Sequence, residues 1–288
     1  MFRNTGFFLF LLLSATSSPA EDSPVAGDSA IKSDNTRIVD GQVALNRRDF
    51  PYQVSLQYLS RHICGGSIIN EQHILTFVIC VMDRNNLILP SELTAVVGNL
   101  RIDTNSTTTV FKEIESVIVH EEFQIMSPEN SIAILKIKGS FEFTESIDRI
   151  RRASTTPAVG TSCRVSGWGS TVQSNPEPSP ALQFVDVSIS ANENCNTTNN
   201  GLLAVGMVCA GYENGGRGPC EGDRGAPLVC DGKLAGVTGY GGLCGSAAPV
   251  IYLDVAYFED WIHTKASSNA AFVNLYVLAT SAFIYLRF

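Results

Sequence analysis

The chain has 288 residues and a formal net charge of −8, enough length for one large domain or two small ones. That acidic balance argues against nucleic acid or heparin as a partner. The four histidines, His62, His73, His120 and His263, are scattered, with no histidine tract and no paired CxxC halves. No metal site and no cofactor is therefore expected, and each histidine reads first as a surface or packing residue.

Residues 1–20 read as a secretory signal: Arg3 supplies the positive start, Phe7 to Leu13 the apolar core, and Ser18-Pro19-Ala20 a small-residue cleavage site. The apolar run is too short to span a bilayer, which needs about 20 residues. Residues 21–37 are polar, contain no cysteine, and predict a flexible pro-segment. An exported chain with eight cysteines predicts a disulfide framework, although spacing alone leaves the pairing open.

After RIVDG at 37–41, short strands follow one another. VSLQ and SIIN alternate or run apolar between Gly, Pro and Asn, and LTAVVGNL, TVFKEIESVIV and NSIAILKIK continue the pattern to Lys138. Residues 139–160 read as a crossover between two halves. The second half opens with CRVSGWGS at 163–170, followed by the polar, Pro-rich SNPEPSP and the strand-like LQFVDVSIS. Cys195 and Cys209 bracket a predicted loop, and LAGVTGYGG and APVIYLDV add further strands. Only YFEDWIHTKA reads as a helix, about 256–266, with Tyr257, Trp261 and Ile262 on one face.

The stretch that organises these pieces is CEGDRGAPLVC, residues 220–230. Together with RIVDG, CRVSGWGS and NSIAILKIK it resembles the chymotrypsin- and trypsin-like serine proteases, peptidase family S1, over about residues 38–269. The resemblance implies an all-β fold of two six-stranded antiparallel barrels, about 38–143 and 157–255, with a C-terminal helix and the cleft between the barrels. It also implies the pairs Cys64–Cys80, Cys163–Cys230, Cys195–Cys209 and Cys220–Cys244, which use every cysteine once. Cleavage after Arg37 by a trypsin-like protease would free the amine of Ile38 to turn inward and pair with Asp223. Gly222 would offer a backbone N–H to a developing oxyanion.

The resemblance fails at three positions. Ile79 stands in place of the histidine base, Ser131 in place of its orienting aspartate, and Arg224 in place of the nucleophilic serine. A guanidinium has no lone pair to attack with and does not lose its proton. Removing one member of such a triad costs about 10⁶ in turnover, and such losses do not multiply. A background of roughly 10³ from oxyanion donors and binding would remain, and Ala226, in place of a glycine beside the turn, argues against even that. The substrate pocket is altered too: Gly218 at its base, Val250 on a wall usually built by glycine, and Tyr240 in place of a tryptophan on the rim. Two readings of this cleft stand open. One is drift after loss of catalysis; the other is a new ligand, with Arg224 as a bidentate clamp for a carboxylate.

Two sequons, Asn105-Ser106-Thr107 and Asn196-Thr197-Thr198, predict glycans on loops. The tail, residues 270–288, is apolar and predicts membrane attachment, either as a lipid-anchor signal or as a single-span helix. The function expected from the residues is a secreted or surface-attached, non-catalytic protease homologue. It would bind a protease, inhibitor or receptor and serve as decoy, cofactor or regulator. The alternatives are a residual or unorthodox endopeptidase and a membrane-anchored adhesion protein.

Overall fold

A computed structural model of the chain describes residues 41–170, 177–212 and 215–267. The signal, the pro-segment, Arg37, Ile38 and the apolar tail lie outside the described residues.

The first half closes into a barrel of six antiparallel strands: β1 (Gln53–Tyr58), β2 (Arg61–Ile68), β3 (His73–Phe77), β4 (Leu93–Val97), β5 (Val110–Val119) and β6 (Ile132–Ile137). Its strand order is β1-β2-β3-β6-β5-β4. The second half repeats that order with β7 (Ser162–Gly167), β8 (Gln183–Ile189), β9 (Met207–Gly211), β10 (Pro227–Cys230), β11 (Lys233–Gly241) and β12 (Val250–Asp254). The pairing of β8 with β9 closes it, and a short strand at Gln42–Val43 adds to the edge of β8. Closure leaves few backbone groups at an open edge.

The burial patterns explain why these segments are strands. In β8, Val185, Val187 and Ile189 face the core while Asp186 and Ser188 face water, the period of two that the sequence displays. In β3 all five residues are buried, so that strand is covered on both faces. One apolar cluster runs from Val54, Leu56, Ile74 and Phe77 of the first barrel to Leu234, Val237 and Leu253 of the second, then on to Phe258 and Ile262. Fully burying each such side chain contributes about 1.5–3 kcal/mol.

Four disulfides use all eight cysteines: Cys64–Cys80, Cys163–Cys230, Cys195–Cys209 and Cys220–Cys244. These are the pairs the resemblance implies.

Two local expectations need correction. The segment after Cys195 is not all loop: α1 (Asn192–Thr198) is a seven-residue helix. Its only buried residue is Cys195, so it shows no apolar stripe in the sequence; the bond to Cys209 holds it down. The terminal helix α2 (Glu259–Ser267) begins three residues later than expected. Tyr257 therefore precedes it and is exposed, and Ile262 and Ala266 form the buried side. Trp261 instead donates its indole N–H to Glu121 at 2.8 Å and stacks on His120. Lys265 pairs with the same carboxylate, which these contacts hold down at about 2. Among the described residues no helix is long and apolar enough to cross a membrane.

Candidate active-site cleft

The turn at 220–226 is fixed from beneath by Asp223. This side chain is fully buried; its two oxygens accept the Gly169 N–H at 2.7 Å and the Cys220 N–H at 2.9 Å. Burial pushes its pKa from 3.8 up to about 7, against the pull of those two donors. Gly169 is required for this contact, since a Cβ there would lie 2.3 Å from the carboxylate. Gly222 adopts φ +95°, a conformation that side-chain-bearing residues rarely take. Among the described residues, neither the Gly222 N–H nor the Arg224 N–H donates a hydrogen bond.

Beneath Gly222 lies His62, which the sequence offers only as a surface or packing residue. Its Nε2 sits 3.0 Å from the Gly222 carbonyl and its Nδ1 2.8 Å from the Ser55 hydroxyl. A carbonyl only accepts, so Nε2 carries the proton and Nδ1 accepts from Ser55. Burial depresses this imidazole to about 4, keeping it neutral. His62 thus supports the turn from the first barrel. No sequence spacing signals this, because the partners are 160 residues apart.

The three expected triad positions converge. Ile79 sits in a single 3-10 turn, Val78–Val81, after β3, and its side chain is left 41% exposed. The Val78 N–H donates to the Ser131 carbonyl at 2.8 Å, which brings the start of β6 beside that turn. The buried Ser131 hydroxyl donates to the Pro128 carbonyl at 2.8 Å, so the Tyr240 hydroxyl, 2.7 Å away, donates to it. The Tyr240 ring meets Phe77 edge-on at 4.8 Å. The Tyr240 hydroxyl is thus directed at Ser131.

Arg224 is not aimed into open cleft. Its carbonyl accepts the Gly65 N–H at 2.8 Å, fixing the backbone. Its Nη1 donates to the Gly239 carbonyl of β11 at 2.6 Å, and its Nη2 lies 3.4 Å from the Glu221 carboxylate. The carboxylate contact is long and partly exposed, worth at most about 1 kcal/mol; the carbonyl bond is what sets the side chain's direction. Ala226 is accommodated because its neighbour is Gly65, where a Cβ would come within 2.7 Å of the alanine methyl.

Three recesses adjoin this turn. The central one, about 290 Å³, is lined by Ile79, Met82, Asp83, Gly222 and Arg224. One neighbour, about 650 Å³, shares Arg224 and Glu221 with it and is bounded by Asn199, Asn200, Gly241 and Leu243. The other, about 710 Å³, shares Tyr58, Ile63, Glu221 and Gly222 with it and is bounded by Leu59, Ile102, Asp103, Pro178 and Pro180. Gly218 and Val250 line none of them. Gly218 is buried, with nothing within 4 Å of where a Cβ would stand. Val250 packs into the second barrel's apolar cluster. Asn105 and Asn196 are both exposed. His73, at the start of β3, is bonded to Asn70 at 2.9 Å and takes no part in the cleft. Among the described residues no His, Cys, Asp and Glu group is gathered for a metal ion.

Set beside known proteins, residues 38–262 match the family model described as Trypsin. The chain belongs to the trypsin-like serine protease family. Trypsin of Xenopus laevis is 32% identical over 82% of this chain and 93% of its own length. Transmembrane protease serine 11G of Mus musculus is 34% identical over 80% of this chain and 56% of its own. The solved structure of neuropsin, a serine protease of mouse brain, superimposes with a TM-score of 0.71 at 26% identity, covering 79% of this chain and 99% of that one. Membership establishes the two-barrel fold and its cleft; the chemistry rests on the side chains in the cleft.

Proposed function

We propose that this family member is non-catalytic and acts by binding another protein, as a decoy, cofactor or regulator of active proteases. The observation that carries the reading is Arg224, a guanidinium at the nucleophile's place, held by the Gly239 carbonyl. Ile79 offers no proton acceptor beside it. Ser131 is bonded to Tyr240 and carries no charge to orient a base. With all three positions substituted, none of them offers a side chain able to activate a nucleophile at that turn.

The zymogen-like switch belongs to the same proposal. Asp223 is buried without a cation among the described residues. An amine freed at Ile38 is the partner that would make its ionised form favourable. Attachment to a cell surface through residues 270–288 is a further part of the reading; deleting them should release the protein into the medium.

Binding is tested by cross-linked capture from the native extracellular fluid, wild type beside Arg224→Ala. A protease, inhibitor or receptor held by wild type and lost by the variant places the partner in the cleft. The same partner held by both places it on the outer surface. Capture of none of these classes by either form contradicts the proposal.

A further inference from the structure

We propose that Asn105 and Asn196 both carry N-linked glycans, and that these stand at opposite ends of the cleft and screen it from large ligands, so that the protein partner of the proposed function docks on the outer surface. The recesses lie in a row. The central one shares lining residues with each neighbour, while the two outer ones share only Glu221. Each sequon borders one outer recess. Asn196 stands in α1, two residues from Thr198 and one turn before Asn199, both of which line the 650 Å³ recess. Asn105 is two residues from Asp103, which lines the 710 Å³ recess. Two residues separate Cα atoms by at most about 7.6 Å, so a bulky, solvated glycan at either position begins beside a cleft mouth.

The local chemistry suits the modification. Both asparagines are exposed. The Asn196 Oδ1 accepts the Leu203 N–H at 3.2 Å, which leaves its Nδ2 outward. The Asn105 amide makes no hydrogen bond among the described residues, and the neighbouring Ser106, Thr108 and Thr109 hydroxyls bond one another at the loop's tip. Pairing of all eight cysteines fits an oxidising secretory compartment, where the donor occurs. That donor is an oligosaccharide linked to a lipid pyrophosphate. The side-chain nitrogen forms a bond to the sugar's anomeric carbon and loses one proton. The anomeric carbon–oxygen bond breaks, and the lipid pyrophosphate leaves with its electron pair.

The test is made on the full chain secreted from a glycosylating eukaryotic cell. Peptide mass mapping should find a glycan at both asparagines, and peptide N-glycosidase should remove both masses and leave aspartate at each. Asn105→Gln and Thr107→Ala should each lose only the first glycan. An unmodified asparagine at either position overturns the two-ended screen. Access is read with Asp83→Cys in the central recess, labelled by a small maleimide and by a protein-linked maleimide. Enzymatic removal of the glycans should speed the large reagent several-fold and leave the small one unchanged. Equal rates for the large reagent before and after removal would contradict the screen. Enzymatic removal needs no asparagine variant, so misfolding of Asn196→Gln cannot mask the answer.

Discussion

The turn that carries Gly222 and Asp223 and the cleft positions beside it lie within one small region, yet packing constrains them very differently. Under the turn, each glycine is pressed against a neighbour: Gly169 against the Asp223 carboxylate, Gly65 against Ala226, and Gly225 against the Thr76 hydroxyl, 2.2 Å from where its Cβ would stand. At the cleft, Ile79 is 41% exposed and the Arg224 side chain 27% exposed. A substitution under the turn collides with the fold, whereas Ile79 and Arg224 are each partly open to water. Gly222 is held by its backbone conformation and Asp223 by two backbone hydrogen bonds, so their presence alone does not argue for catalysis.

The contrast can be broken or sharpened at several points. The largest effect should come from the Cys220–Cys244 bond that ties the turn to the segment after β11. Replacing both cysteines by serine should cost about 2–5 kcal/mol in chemical denaturation, and a smaller loss would mean the turn is held mainly by other contacts.

Asp223 comes next, with a definite sign. Its folded pKa, about 7, lies above the ordinary 3.8, so the fold penalises the ionised form. Its contribution to stability is fully present below about pH 4 and is lost as pH rises through about 7, an effect of a few kcal/mol at most. In the uncut protein, the stability of wild type relative to Asp223→Asn should fall from pH 4 to pH 7.5. Cleavage after Arg37 should flatten that slope. A difference that rises with pH in the uncut form would show that Asp223 already has a cation.

Gly169→Ala forces a methyl against the carboxylate and should cost about 1–3 kcal/mol; a neutral result would show that the turn can shift. The smallest expected effect is on the cleft side. Tyr240→Phe removes the donor to Ser131, and the remaining serine still donates to Pro128, so a loss of only about 0.5–1.5 kcal/mol is expected by thermal or chemical denaturation.

Much of this architecture is legible in the sequence because it depends on local alternation and on glycines at tight approaches. β8 announces itself through Val185, Val187 and Ile189, and the four disulfides follow from the family resemblance. Other features are set by partners remote along the chain. His62 meets a carbonyl 160 residues away, and Tyr240 reaches Ser131 across 109 residues. No local period encodes such contacts. α1 escapes notice for a different reason: NENCNTT has a single buried residue and is fixed by a covalent bond, not by an apolar face. The direction of Arg224 was likewise hidden, since it depends on where β11 places the Gly239 carbonyl.

The most direct test of the account is turnover of a mixed peptide library by the full chain cut after Arg37, with Arg224→Ser and Gly222→Pro measured in parallel. The account predicts no cleavage above buffer for any of the three, because Ile79 leaves even a restored serine without a base. Cleavage by the wild-type protein that survives serine-protease inhibitors and disappears in Gly222→Pro would contradict it, and would make the cleft a working, unorthodox hydrolase site.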